Sequence, residues 1–193
     1  MKSEHHPFPP FLPPGAKKLF LGSFPPPSCR WSMPFYYPNW INDFWRIMGL
    51  IHFGDKDHFC ILPEKRFDED SIRSFCIDAR LAFYDTACEV RRLKDNASDA
   101  FLEIVTPTDL PLLLAQIPEC DTLVTTGQKA SEVVAESLGC LVPQVGDWAE
   151  AGINPLSLES ATSRTIQFWR MPSTSRAYPL PIEKKAEFYK RLF

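Results

Sequence analysis

Four short clusters in this chain have residue types suited to recognition or catalysis. They are Gly22-Ser23-Phe24-Pro25, Asp85-Thr86, Thr126-Gly127 and Pro172-Ser173-Thr174-Ser175, the last followed by Arg176. Three hydroxyl residues beside an arginine offer O–H and exposed N–H groups to phosphate oxygens, although the same hydroxyls also serve to cap a turn. Asp85 is either a carboxylate that positions water or an Asx cap where a strand ends. Just past the first cluster the chain gathers Tyr36, Tyr37, Trp40, Phe44 and Trp45. Of these, Phe44 and Trp45 read as core, and Tyr37 is the ring best suited to stack on a flat ligand. Asn42, taken alone, reads as a residue in the first turn of a helix capped by Asn39.

Regular elements must bring these clusters together. Lys17 to Phe24 is a compact apolar run bounded by turn residues, the pattern of a strand covered on both faces. Helical spacing follows from Asp43 to Ile51 and again through Ile72, Phe75, Cys76 and Ala79, after which Leu81 to Tyr84 reads as a second strand. Leu123 to Thr126, a turn at Gly127 and the stripe Ala130, Val133, Val134 and Leu138 form a strand–helix unit closed by Gly139. Thr165 to Met171 predicts a fourth strand and Ile182 to Leu192 a final helix. Strands interleaved with helices imply an α/β fold, a three-layer α/β/α sandwich around a central, mainly parallel four-stranded sheet. In such sheets ligands bind beyond the carboxyl ends of the strands, which is where all four clusters lie. Residues 1–16 read as a proline-rich extended arm, 17–193 as a single domain, and 140–163 as a loop-rich insertion within it.

The totals are consistent with that picture. The chain has 193 residues, 45% hydrophobic and 23% charged, an ordinary globular balance. Its 19 prolines are about twice average usage, so loops and element boundaries are frequent. No apolar run reaches the roughly 18 residues of a membrane span, and the first ten residues lack a secretory signal's apolar core. A cytoplasmic location is expected. The six cysteines contain no C-x-x-C pair and are not spaced with the four histidines as a zinc site requires; they are expected to be buried thiols. Net charge is −3, yet from Arg164 to Phe193 there are seven Lys and Arg against two Glu. This asymmetry predicts either a basic face or a solvated terminal helix.

The clusters resemble the uracil-DNA glycosylase superfamily. Its first motif, a strand running into a G-x-x-P turn, is matched by Gly22-Ser23-Phe24-Pro25. A following segment of the form aromatic-x-x-x-x-N-x-F-W is matched from Tyr37 through Asn42, Phe44 and Trp45. The second motif, a strand leading into P-S-T-S, is matched by Pro172 to Ser175, in the same order along the chain. The nearest resemblance is to the hypoxanthine-DNA glycosylase branch and the mismatch-specific uracil glycosylases beside it. Phe24 stands where the mismatch-specific enzymes carry an Asn, as in the hypoxanthine branch. Asn39-Trp40-Ile41 replaces that branch's usual H-P-x before Asn42.

That resemblance implies a monofunctional DNA glycosylase that excises a deaminated base, uracil or hypoxanthine. Asn42 and Asp85 would be the catalytic residues, and Gly22, Ser23, Phe24 and Tyr37 would form the base-binding wall. Ser173, Thr174, Ser175 and Arg176 would contact DNA. No cofactor, metal or iron–sulfur cluster is expected, and the protein is expected to act as a monomer on damaged or mismatched DNA. An Asn amide suits this chemistry, since it can donate to a base carbonyl or orient water with its own carbonyl. Two other readings remain at this level: a non-catalytic nucleic-acid-binding module, suggested by the apolar Phe24, and a hydrolase of free nucleosides or nucleotides.

Overall fold

The computed structural model describes residues 3–93, 101–153 and 164–193. In chain order its elements begin with β1 (Glu4–His5), β2 (Lys18–Gly22), α1 (Phe44–Phe53), β3 (Cys60–Ile61), β4 (Arg66–Phe67), α2 (Glu69–Asp78) and β5 (Leu81–Asp85). They continue through β6 (Ala87–Arg92), β7 (Leu102–Pro107), α3 (Leu110–Ala115), β8 (Thr122–Thr126), α4 (Gln128–Leu138), β9 (Asp147–Ile153), β10 (Arg164–Met171) and α5 (Ile182–Tyr189).

The main sheet has the order β5-β2-β8-β10-β9, parallel throughout except for β9, which runs antiparallel to β10. The four expected strands are its four parallel members. The sheet has five strands and not four, because β9 lies inside the 140–163 stretch expected to be loop; residues 154–163 of that stretch are outside the described residues. The strand was hidden by composition. Its sequence DWAEAGI is poor in β-branched residues, and only Ala151 and Ile153 are buried on this edge position. By contrast, Leu19, Phe20 and Leu21 in β2 and every residue of β5 are buried, so the sheet centre is covered on both faces as a parallel sheet requires. Here α2 packs on β5, α4 packs on β8 and β9, and α1 packs against α5.

A second, antiparallel sheet has the order β1-β6-β7. Its first strand belongs to the N-terminal arm, so the arm is more than an extended leader. Further along, Phe11 exchanges backbone hydrogen bonds with Phe83 at 3.0 and 2.9 Å, covering the open edge of β5, and Tyr36 Oη donates to the Pro9 carbonyl at 2.8 Å. Capping an exposed edge in this way removes a site for unwanted strand pairing.

Most rings of the aromatic stretch belong to the core. Phe35, Tyr36, Phe44 and Trp45 are at most 2% exposed and meet Phe20 and Phe83 from the sheet. Each such buried ring contributes roughly 1.5–3 kcal/mol relative to exposure. The cysteines divide differently from the expectation: Cys76 and Cys120 are buried, Cys60, Cys88 and Cys140 are partly covered, and Cys29 is exposed, because it sits on a solvent-facing 3-10 turn. No helix among the described residues is long and apolar enough to cross a membrane.

Candidate active site

Strand register levels the ends of the parallel sheet. Gly22 pairs with Asp85, and Thr126 with Met171, so the loops after β2, β5, β8 and β10 leave the sheet side by side. Between β2 and β8 the chain reverses its direction of travel across the sheet, the switch point at which such folds form a crevice. A cavity of about 660 Å³ opens there, and Ser23, Phe24, Tyr37, Asn42, Asp85, Ser173, Thr174, Ser175 and Arg176 all line it. The structure thus collects nine of the ten singled-out residues on one cavity.

Gly22, the tenth, lies just behind the wall. A Cβ at this position would fall 2.6 Å from Asp85 Oδ1, so glycine is what lets the carboxylate approach the strand. Next along, Phe24 packs on the small cluster of Ala87, Val90 and Leu102 in the second sheet. The Arg92 guanidinium lies over its ring at 5.7 Å and donates through Nη2 to the Pro25 carbonyl at 2.6 Å. Phe24 is therefore a rigid apolar wall.

Tyr37 takes a left-handed backbone conformation, φ 52°, uncommon for an aromatic residue. Its ring stacks on Phe44 with centroids 3.9 Å apart and planes 6° apart, meets Phe83 at 6.3 Å with planes 81° apart, and lines the cavity. Its hydroxyl lies 2.9 Å from Thr126 Oγ1. Desolvation, opposed by that hydrogen bond and reinforced by the nearby Asp85 charge, pushes the phenol well above its ordinary range, so it remains neutral.

Asn39 does not cap α1 as expected; its Oδ1 accepts the N–H of Ile41 in a local Asx turn. The cap position is held by Asp43, whose side chain makes no capping bond; Asn42, one residue earlier, accepts the N–H of Phe44 through Oδ1 at 2.8 Å in an Asx turn of its own. Because the carbonyl is held by the helix start, the amide NH2 is the group available to the cavity, and it has no partner among the described residues.

The second-motif loop is tied to α1 from below. Asp43 accepts from Arg176 Nε at 2.9 Å and Lys185 Nζ at 3.0 Å, Lys185 also donates to the Ser175 carbonyl at 2.8 Å, and the Asp43 N–H donates to the Thr174 carbonyl at 2.9 Å. Thr174 is only 2% exposed, so of the three hydroxyl residues it is the one turned inward. Ser173 and Ser175 use their oxygens to accept the N–H groups of Ser175 and Ala177, which still leaves each hydroxyl proton to donate. Much of the basic C-terminal segment is structural: Lys185 is buried, Arg164 and Arg191 bond backbone carbonyls, and Lys184 pairs with Glu187.

Sequence reading missed three participants. Arg30 and Tyr178 also line the cavity, and His6 lies behind it with Nε2 2.9 Å from Asp85 Oδ2. His6 and Asp85 are 79 positions apart, and no periodicity or motif links them. Among the described residues no three His, Cys, Asp or Glu side chains are grouped to hold a metal ion.

No protein-family model matches the chain, and no curated protein does. Among solved structures, the chain is similar to the solution NMR structure of a Methanosarcina acetivorans protein whose provisional name is uracil DNA glycosylase. The two are 20% identical with a TM-score of 0.60, over 96% of this chain and 95% of that one. At that identity the shared property is the fold, which the two chains have in common over nearly their whole length.

Proposed function

We propose that the chain is a monofunctional DNA glycosylase that hydrolyses the N-glycosidic bond of a deaminated base, uracil or hypoxanthine, leaving an abasic site. The observation that carries this reading is the convergence of Ser23-Phe24-Pro25, Asn42 and Ser173-Thr174-Ser175 on one cavity at the carboxyl end of the sheet. The fold shared with the Methanosarcina acetivorans protein adds support.

The reaction leaves an oxocarbenium-like sugar and an electron-rich base. Water supplies hydroxide to the sugar carbon, and its remaining proton ends on the departing base. The base enters the cavity lined by Phe24 and Tyr37, after leaving the helix stack at a cost of a few kcal/mol. Asn42 donates its NH2 to a base carbonyl as negative charge gathers there. The Asp85 carboxylate, through Oδ1, faces the sugar and orients the water. Ser173, Ser175, Arg176 and Arg30 meet the flanking phosphates. This chemistry requires no metal.

The test is incubation with duplexes and single strands carrying one uracil, hypoxanthine or xanthine, followed by alkaline cleavage at abasic sites. Scission confined to a deaminated base supports the proposal. Salt-dependent DNA binding without scission would favour a binding module, and turnover of free nucleosides without DNA binding would favour a nucleoside hydrolase.

A further inference from the structure

The His6–Asp85 pair joins the N-terminal arm to the floor of the cavity. The imidazole side chain is 2% exposed and the Asp85 side chain 10% exposed. Ring packing fixes the imidazole: Tyr84 at 4.7 Å, Phe24 at 5.3 Å, Phe8 at 6.0 Å and Tyr36 at 6.1 Å between centroids. The arm is itself anchored by the β1–β6 pairing and by the His6 N–H, which donates to the Cys88 carbonyl at 2.8 Å. His6 does not line the cavity, so it cannot touch a substrate there; whatever it does passes through Asp85.

We infer that His6 is a positioning residue for Asp85, supplied by the arm, and that the arm is thereby part of the reactive site. The inference rests on the glycosylase reading above. The Nε2–H donates to Oδ2 and pins the carboxylate in one orientation, while Oδ1 stays close to Gly22 as the acceptor for water. On the other side of the ring, Nδ1 faces both polar groups of Phe8, its carbonyl at 2.8 Å and its N–H at 3.2 Å. A neutral ring accepts the N–H and a protonated ring donates to the carbonyl, so the Nε2–H bond to Asp85 persists in both states. The ionisable groups facing the ring are Asp85 and Tyr84 from β5 and Tyr36 from the loop after β2, with Arg92 of β6 beyond Phe24.

The experiment measures single-turnover excision and thermal melting for the full chain and for His6→Ala, His6→Gln, Asp85→Asn and His6→Ala/Asp85→Asn. His6→Ala is expected to lose about 10²-fold, the scale of a misplaced reacting group, and to add little loss on top of Asp85→Asn, as residues acting through one another do. His6→Gln keeps an N–H donor at the Nε2 position without the ring, so it should retain most of the rate even where its melting temperature falls with the lost ring packing. That rescue is outside what a purely structural residue would produce, and it stands even if His6→Ala fails to fold. A folded Gln variant that loses about 10²-fold, or full additivity with Asp85→Asn, overturns the role of His6. A wild-type chain inert on every substrate overturns the glycosylase reading and this role with it.

Discussion

Lys185 Nζ, on a side chain only 1% exposed, lies 3.0 Å from Asp43 Oδ2 and joins α5 to the start of α1. The same ammonium holds the Ser175 carbonyl, so a single buried cation positions the second-motif loop relative to Asn42. Lys185→Met leaves a buried carboxylate with Arg176 as its remaining cation, and it should destabilise the protein by about 3 kcal/mol. Urea unfolding measures this; a loss below about 1 kcal/mol would mean that Arg176 alone satisfies Asp43.

Asn42 carries two separable functions. Asn42→Ala removes both the acceptor for the Phe44 N–H and the cavity-facing NH2, so stability should fall by about 1 kcal/mol and single-turnover excision by about 10²-fold or more. Asn42→Asp keeps an acceptor for the Phe44 N–H but loses the donor. It should melt near the wild-type temperature while excision remains low. Recovery of excision in the Asp variant would instead assign Asn42 to orienting water.

Gly22→Ala inserts a methyl group 2.6 Å from Asp85 Oδ1, so the carboxylate, which His6 holds through Oδ2, must shift. Overpacking should cost about 1–3 kcal/mol, and displacement of Asp85 should cost about 10²-fold in excision. Thermal melts and single-turnover assays on the same preparation separate the two effects; unchanged excision would remove Asp85 from the chemistry.

His52 predicts part of the pH dependence of stability. Its ring packs against Phe75 and Phe193, and burial, aided by the Lys18 charge, holds its pKa below the ordinary 6.5. As pH falls through about 6.5 the unfolded chain takes up a proton that the native chain still refuses, so stability declines until native His52 also protonates. His52→Phe should therefore lose less melting temperature than the wild type between about pH 7.5 and about pH 5. Equal losses in the two proteins would exclude His52 as a contributor.

Three of the parallel strands were legible because each is short, apolar and buried on both faces, a pattern carried by local sequence: Leu19 to Leu21, Leu81 to Tyr84 and Leu123 to Thr126; the fourth, read from Thr165 to Met171, instead alternates at its start, with Ile166 and Phe168 buried and Thr165 and Gln167 exposed. Given that class of fold, the cavity residues followed, since strand ends in a parallel sheet must lie together. Other features depended on long-range partners that no local pattern encodes. The β9 strand exists because β10 offers it an edge, despite a sequence poor in strand formers. Asp43, and not Asn39, holds the cap position of α1, with Asn42 just before it bridged to Ser175, 133 positions along the chain. Lys185, seated on Asp43, made part of the basic C-terminal segment internal. His6 reached Asp85 only once the arm had paired with β6 and crossed to Phe83. Burial pattern is a property of neighbours in sequence, whereas a hydrogen bond across 79 positions is decided by the chain's return path, and only the tertiary structure records that path.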